Sequence, residues 1–182
     1  FDFIIMKILF LNPPDINKIS ENTVDEKSQE YIESDDFGAF PPLGILYLMA
    51  YLEKNAPHHK LYFKDCVAER YGHHKLVDYV TGIKPDFVAM TSFTISMIDV
   101  VIAAQNIRKI VPEAHLCLGG HHPIAFPFEA ASLPEFDSIV VGEGEIVFTE
   151  LVKAIEDKKP FTEITGVYTN ESIQKYRNTT LK

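Results

Sequence analysis

Cysteine is scarce in this chain, and so are cations. Only Cys66 and Cys117 occur among 182 residues, far apart and outside any C-x-x-C pair, so both are expected to be buried packing thiols rather than a disulfide or a metal site. Seventeen Lys and Arg stand against 26 Asp and Glu, a formal charge of −9, and a surface of that sign repels phosphate backbones and anionic lipid. No apolar run approaches the roughly 20 residues a bilayer requires, and the N-terminus lacks the basic flank and long apolar stretch of a signal peptide. Nucleic acid and a membrane span are therefore not expected as partners, and a cytoplasmic location is. The G-K-[ST] of a P-loop and the G-x-S-x-G of a hydrolase elbow are also absent.

What is present is apolar periodicity. With 46% apolar residues in 182, the chain can bury one core, and a single domain is expected. Met6 opens "MKILF" like a natural start, which leaves residues 1–5 as upstream sequence. Short apolar runs at 7–11, 60–64, 87–91, 115–118 and 138–141, with a possible sixth at 166–168, read as strands. Amphipathic segments separate them, the pattern of β-α units around a parallel sheet buried on both faces. In "PPLGILYLMAYLEKN" Pro42 suits a helix start, and Leu43, Leu46, Tyr47 and Ala50 fall at the spacing of one buried face. "HHKLVDYVTGI" and "SMIDVVIAAQNIRKI" are helices stopping before Pro85 and Pro112, the latter with Ile98, Val101 and Ile102 on one side. A weaker helix is expected over 128–132, and a strong one in "IVFTELVKAIED", with Val147, Leu151 and Ile155 inward. Right-handed crossovers then favour a flavodoxin-like, doubly wound three-layer α/β/α fold of strand order 2-1-3-4-5.

Two segments break the alternation. Residues 15–40 carry most of the negative charge and read as a long loop, either a functional lid or a mobile segment. The polar tail "TNESIQKYRNTTLK" lacks an apolar stripe and reads as an exit linker.

In such a sheet ligands bind beyond the carboxyl ends of the strands. The residues there are Asn12, Pro13 and Pro14; Asp65 and Cys66; Thr91, Ser92, Phe93 and Thr94; Gly119, Gly120, His121, His122 and Pro123; and Gly142, Glu143, Gly144 and Glu145. Glycines at these corners either make tight turns or let a ligand approach bare backbone. Glu143 and Glu145 either cap the following helix or touch a ligand. "GEGEIV" is not a dinucleotide fingerprint: it lacks a third glycine, follows the last parallel strand, and sets carboxylates where a pyrophosphate would sit. Pro13 and Pro14 remove two N–H donors from the first turn, which argues against a phosphate cradle. His121 and His122 are neighbours that point apart, so no metal-ligating residue is expected, and no catalytic one.

"PPLGILYLMAYLEKN", "PDFVAMTSFTIS", "CLGGHHPIAFPFEAA", "FDSIVVGEGEIVFTELVKAI" and "ITGVYTN", in that order, resemble the N-terminal cobalamin-binding domain of cobalamin-dependent radical S-adenosylmethionine enzymes. That group includes anaerobic magnesium-protoporphyrin monomethyl ester cyclases and hopanoid methylases. The resemblance implies a corrinoid across the strand carboxyl ends, its nucleotide tail inserted beside Thr91, Ser92 and Thr94, with Gly119 and Gly120 giving it room and 142–145 closing the far side. It implies a domain over 6–170, with 171–182 leading toward a radical S-adenosylmethionine domain. The sequence departs from other cobalamin domains in lacking the D-x-H-x-x-G whose histidine ligates cobalt; its first turn is "NPPDINKI". It also lacks the C-x-x-x-C-x-x-C that holds an iron–sulfur cluster, so the cluster and S-adenosylmethionine belong to another domain, and this chain alone is not expected to be an enzyme. The expected function is cobalamin binding for methyl transfer or a related radical reaction in a longer methyltransferase or cyclase. The alternative is a docking module of the same fold that binds no corrinoid.

Overall fold

The computed structural model describes residues 4–17 and 41–180. Most of the acidic 15–40 segment lies outside the described residues. Six strands form one sheet in the order β2-β1-β3-β4-β5-β6: β1 (Lys7–Asn12), β2 (Lys60–Asp65), β3 (Phe87–Ser92), β4 (His115–Gly120), β5 (Ser138–Val140) and β6 (Val167–Tyr168). The first five run parallel, as the alternation requires, and β6 is the expected sixth strand, added antiparallel to β5. The fold is flavodoxin-like, with the order reversing between β1 and β3.

Helices cover both faces. α1 (Leu43–Asn55) and α6 (Gly144–Glu156) lie on one, with Ile45, Leu52, Phe148, Leu151 and Val152 packed on Ile8, Phe10, Phe87 and Ala89. On the other, α2 (His73–Ile83), α3 (Met97–Ile110) and α5 (Pro127–Ser132) bury Leu76, Val80, Ala103, Ile107 and Ala130 against Leu9, Leu11, Val88 and Leu118. A short helix, α4 (His121–Ala125), follows β4 directly, where the sequence suggested only a corner. Among the described residues no helix is long and apolar enough to cross a membrane.

Three expectations are corrected. The buried stripe of α1 is Ile45, Leu48, Met49 and Leu52, the same i, i+3, i+4, i+7 spacing shifted by two residues, whereas Leu43 and Tyr47 are exposed at 61% and 64%. Two overlapping apolar stripes run along this helix, and the sheet takes only one of them. In α3 the buried face is Val100, Ala103, Ala104 and Ile107, and Ile98 is exposed. The tail is helical: α7 (Asn170–Thr180) packs on α5 and buries Ile173. Local capping starts it, since Ser172 N donates to Thr169 Oγ1 at 3.2 Å while Thr169 N donates to Ser172 Oγ at 2.8 Å. This reciprocal pair satisfies the first-turn donors without an apolar stripe.

Candidate functional site

Side chains alternate across a strand, so the register of β3 and β4 sorts their residues by face. The pairs Phe87↔His115, Ala89↔Cys117 and Thr91↔Gly119 alternate with Val88, Met90, Leu116 and Leu118, which belong to the α2–α3 core. Phe87, Ala89 and Cys117 belong to the α1–α6 core. Along that face residue size falls toward the carboxyl edge. At the amino end the Phe87 ring lies 4.9 Å from His115 and 5.3 Å from Phe148, and these rings fill the space under α6. Two register steps later the pair is a threonine and a glycine, and nothing fills it.

The result is a cavity of about 590 Å³ between the sheet and the N-terminal ends of α1 and α6, within the usual size of a small-molecule site. Ala89, Thr91, Cys117 and Gly119 form its floor, and Ile45, Leu48 and Phe148 line it from the helices. Phe93 and His121, leaving adjacent strands, stack nearly flat at its wall, centroids 4.7 Å apart and planes 12° apart. Gly144 lets α6 approach α1, since a Cβ there would stand 2.8 Å from Leu48 Cδ2. Gly142, at φ +96°, lines the cavity with nothing within 4 Å of a Cβ position.

The two glycines ending β4 do different work. Gly119 presents bare backbone to the cavity, and an added Cβ would meet only Met90 O, at 3.9 Å. Gly120 holds φ +95°, and a Cβ would come within 2.7 Å of the Ser92 backbone N and O. It is a steric requirement of the turn into α4.

Of the residues the sequence singled out, Asn12, Thr91, Phe93, Gly119, Gly120, His121, Gly142, Glu143, Gly144 and Glu145 line this one cavity. Pro13, Pro14, Ser92, Thr94 and His122 do not. The two prolines are buried. Ser92 Oγ, also buried, donates to Gly119 O at 2.9 Å and clamps the floor from behind. His122 is 1% exposed, with Nδ1 3.2 Å from Thr94 Oγ1. Sequence reading missed Ala89 and Cys117 on the floor and Ile45 and Leu48 opposite. The signal for the floor was there: "VAMT" and "LCLG" alternate larger and smaller residues.

Burial pushes the Cys117 thiol up to about 12, with Asp137 adding to the effect and a hydrogen bond involving Ser138 opposing it, so it lines the cavity as a neutral group. Asn12 Nδ2 donates to Asp65 Oδ1 at 2.9 Å, tying the ends of β1 and β2.

Two further clusters lie outside the cavity. Asp99, with no exposed surface, accepts from Ile16 N at 2.9 Å and Asn17 N at 2.7 Å through Oδ2, while Asn17 Nδ2 and His73 Nε2 lie 2.7 Å and 2.6 Å from Oδ1. Burial raises its pKa, but the bonds from Asn17, His73 and Ile16 outweigh burial and hold the carboxyl below its usual range. At the opposite edge of the sheet His58 Nε2 and His59 Nε2 lie 2.9 Å and 3.5 Å from the Glu156 carboxylate, a grouping that invites a metal ion. The hydrogen bonding argues otherwise. Met6 N donates to His59 Nδ1 at 3.3 Å, so the neutral ring carries its proton on Nε2 and has no lone pair there for a metal. Burial, then His58, lowers the pKa of His59 and keeps it neutral despite Glu156.

Residues 37–152 match the family model of the B12 binding domain. The chain is 35% identical over 123 residues to the anaerobic magnesium-protoporphyrin IX monomethyl ester cyclase of Cereibacter sphaeroides, covering 65% of this chain and 19% of that protein. Its fold is similar to that of the radical S-adenosylmethionine methyltransferase TsrM from Kitasatospora setae, solved with cobalamin and a [4Fe-4S] cluster bound: TM-score 0.68 at 19% identity, over 92% of this chain and 29% of that one. The cobalamin-dependent S-adenosylmethionine radical enzyme OxsB, solved with aqua-cobalamin bound, gives a TM-score of 0.64 at 14% identity, over 91% of this chain and 21% of that one. The chain thus spans less than a third of the length of each of these proteins.

Proposed function

The chain belongs to the B12-binding domain family, and we propose that its cavity holds the tail of a corrinoid whose ring lies over the carboxyl edge of the sheet. The observation that carries this reading is the floor. Ala89, Thr91, Cys117 and Gly119 leave a slot between sheet and helices that opens at the carboxyl edge, near the reversal of strand order, where doubly wound sheets take their ligands. An extended group enters such a slot without displacing a side chain, and bare backbone at Gly119 and Gly142 widens its mouth.

In this reading Thr91, Gly119 and Gly142 contact the tail, Phe93 and His121 form the wall beside it, and Asn12, Glu143 and Glu145 face the polar rim of the ligand. Ser92, Thr94 and His122 act from behind, by holding that wall in place. Pro13 and Pro14 stand where other cobalamin domains carry a cobalt-ligating histidine motif, so no ligand comes from that turn. A bound corrinoid supplies group-transfer chemistry at cobalt. Within the domain the protein binds and orients it.

The radical chemistry belongs elsewhere in a longer protein. Burial raises the Cys66 and Cys117 thiols to about 12 each, and buried neutral thiols do not hold a cluster. We place the corrinoid unit over 6–170, with the segment from 171 leading to a domain that binds the cluster and S-adenosylmethionine for methyl transfer or a related step. A docking module without ligand leaves the small-residue floor unexplained.

The test is direct. Purified chain mixed with hydroxocobalamin at about 20 μM, a concentration that reveals micromolar affinity, is expected to co-elute with the corrinoid on gel filtration and to perturb its visible spectrum. Elution without corrinoid overturns the reading.

A further inference from the structure

The two ends of the cavity differ in charge. Among the described residues lining it there is no lysine or arginine; Glu143 and Glu145 are its carboxylates. Glu143 immediately precedes α6 and Glu145 lies in its first turn. Neither carboxylate has an ion pair or side-chain hydrogen bond among the described residues. The helix dipole offsets about half a charge there, so two carboxylates leave that end negative. At the other end α1 begins without an acidic residue in its first turn and without a side-chain cap. Among the described residues no side chain takes its first N–H groups, which are donors for an oxygen. Both helix starts offer backbone donors, and only the α6 end adds carboxylates.

From this asymmetry we infer that Glu143 and Glu145 are specificity determinants. They admit a macrocycle whose rim bears neutral carboxamides and reject one whose rim bears carboxylates. The inference rests on the corrinoid reading above and assigns to these two residues the preference for an amidated rim. A carboxamide N–H donates to a glutamate oxygen, a charge-assisted bond. A rim carboxylate in the same place meets like charge with no lysine or arginine among the described lining residues, and each facing pair costs about tenfold in affinity at low salt. Rejection by repulsion is a common source of specificity. Helix capping alone accounts for an acidic residue at the start of α6, but it predicts no discrimination between ligands.

Two corrinoids without a nucleotide separate these explanations: dicyanocobinamide, whose rim is amidated, and dicyanocobyrinic acid, whose rim bears carboxylates. Both are titrated calorimetrically into wild type and into the Glu143→Gln/Glu145→Gln double variant, at low salt and at high salt. Glutamine keeps the side-chain shape and removes the charge. The wild type is expected to prefer the cobinamide by about a hundredfold at low salt, two facing pairs' worth, and the preference is expected to fall at least about fivefold in the double variant and at high salt. Affinities within about twofold of each other in the wild type, or a preference that the variant leaves unchanged, overturn the inference. The salt comparison needs only wild-type protein, so it can overturn the inference even if the variant fails to fold: a preference that high salt leaves intact is not electrostatic. If wild type binds neither the cobinamide nor hydroxocobalamin, the corrinoid reading falls and takes the inference with it. That outcome is distinct from binding both alike.

Discussion

The two faces of strands β3 and β4 share one backbone and follow opposite rules. On the α2–α3 face Val88, Met90, Leu116 and Leu118 are each 2% exposed or less and form a continuous core. On the α1–α6 face the same strands carry rings at the amino end and then Ala89, Cys117, Thr91 and Gly119. The cavity is not a general weakness of that face, because Phe10, Phe87 and Phe148 pack closely a few residues away, with Phe10 and Phe148 5.5 Å apart. Leaving such a volume empty forfeits dispersion contacts that larger side chains would supply. One face is packed throughout, and the carboxyl half of the other is left open.

The sharpest way to break the comparison is to carve the packed face. Leu118→Ala removes a fully buried side chain from the α2–α3 core and is expected to destabilise the domain by about 3–4 kcal/mol, read as a lower urea midpoint at unchanged slope. Corrinoid affinity, measured where the variant remains folded, is expected to stay within about threefold of wild type, because the side chain points away from the cavity. A loss of less than about 1 kcal/mol would mean that this face also has slack.

A smaller effect tests the filled end of the cavity face. Burial lowers the pKa of His115 to about 4, with Asp137 opposing and Arg108 adding to the shift; its Nε2 lies 2.8 Å from Ser138 Oγ and its ring meets Phe161 at 5.3 Å. An unfolded histidine titrates near 6.5, so between about pH 6.5 and 4 the unfolded chain binds a proton that the folded chain refuses, and stability falls as pH falls through that window. The full loss attributable to this residue is about 2–3 kcal/mol by pH 4. Urea unfolding of wild type and His115→Gln at pH 7 and pH 4.5 measures it. The variant is expected to lose less stability than wild type over that interval. Equal losses would show that the ring is not held neutral by burial.

Strand order was legible from the alternation of apolar runs with amphipathic segments, and the convergence of the glycine and hydroxyl corners followed from their all ending parallel strands. The face that α1 buries was not settled by spacing alone, since two overlapping stripes share it, and the sheet takes the more apolar one, Ile45, Leu48, Met49 and Leu52, over Leu43, Leu46, Tyr47 and Ala50. Asp99 was equally hidden. Its partners Ile16, Asn17 and His73 come from two other segments, and no local pattern marks a carboxylate that will accept bonds from all three. Ser92 was singled out as a ligand residue because a hydroxyl at a strand end looks the same whether it faces a cavity or, as here, the carbonyl of the next strand.

The subtlest change in stability carries the largest consequence for binding. Gly119→Val places a branched side chain on the cavity floor, where a Cβ has only Met90 O near it, at 3.9 Å. Valine suits a strand and glycine does not, so the stability of the ligand-free domain is expected to move by less than about 1 kcal/mol, in either direction. Corrinoid affinity is expected to fall by at least about tenfold, because the added methyl groups occupy the space the tail would enter. Gly120 is no substitute for this experiment, since its φ of +95° and the 2.7 Å approach to Ser92 would damage the fold before binding could be read. Thermal unfolding without ligand and hydroxocobalamin titration of the same protein give both quantities. A Gly119→Val protein that is stable and still binds corrinoid normally would place the ligand outside the slot and erase the functional difference between the two faces.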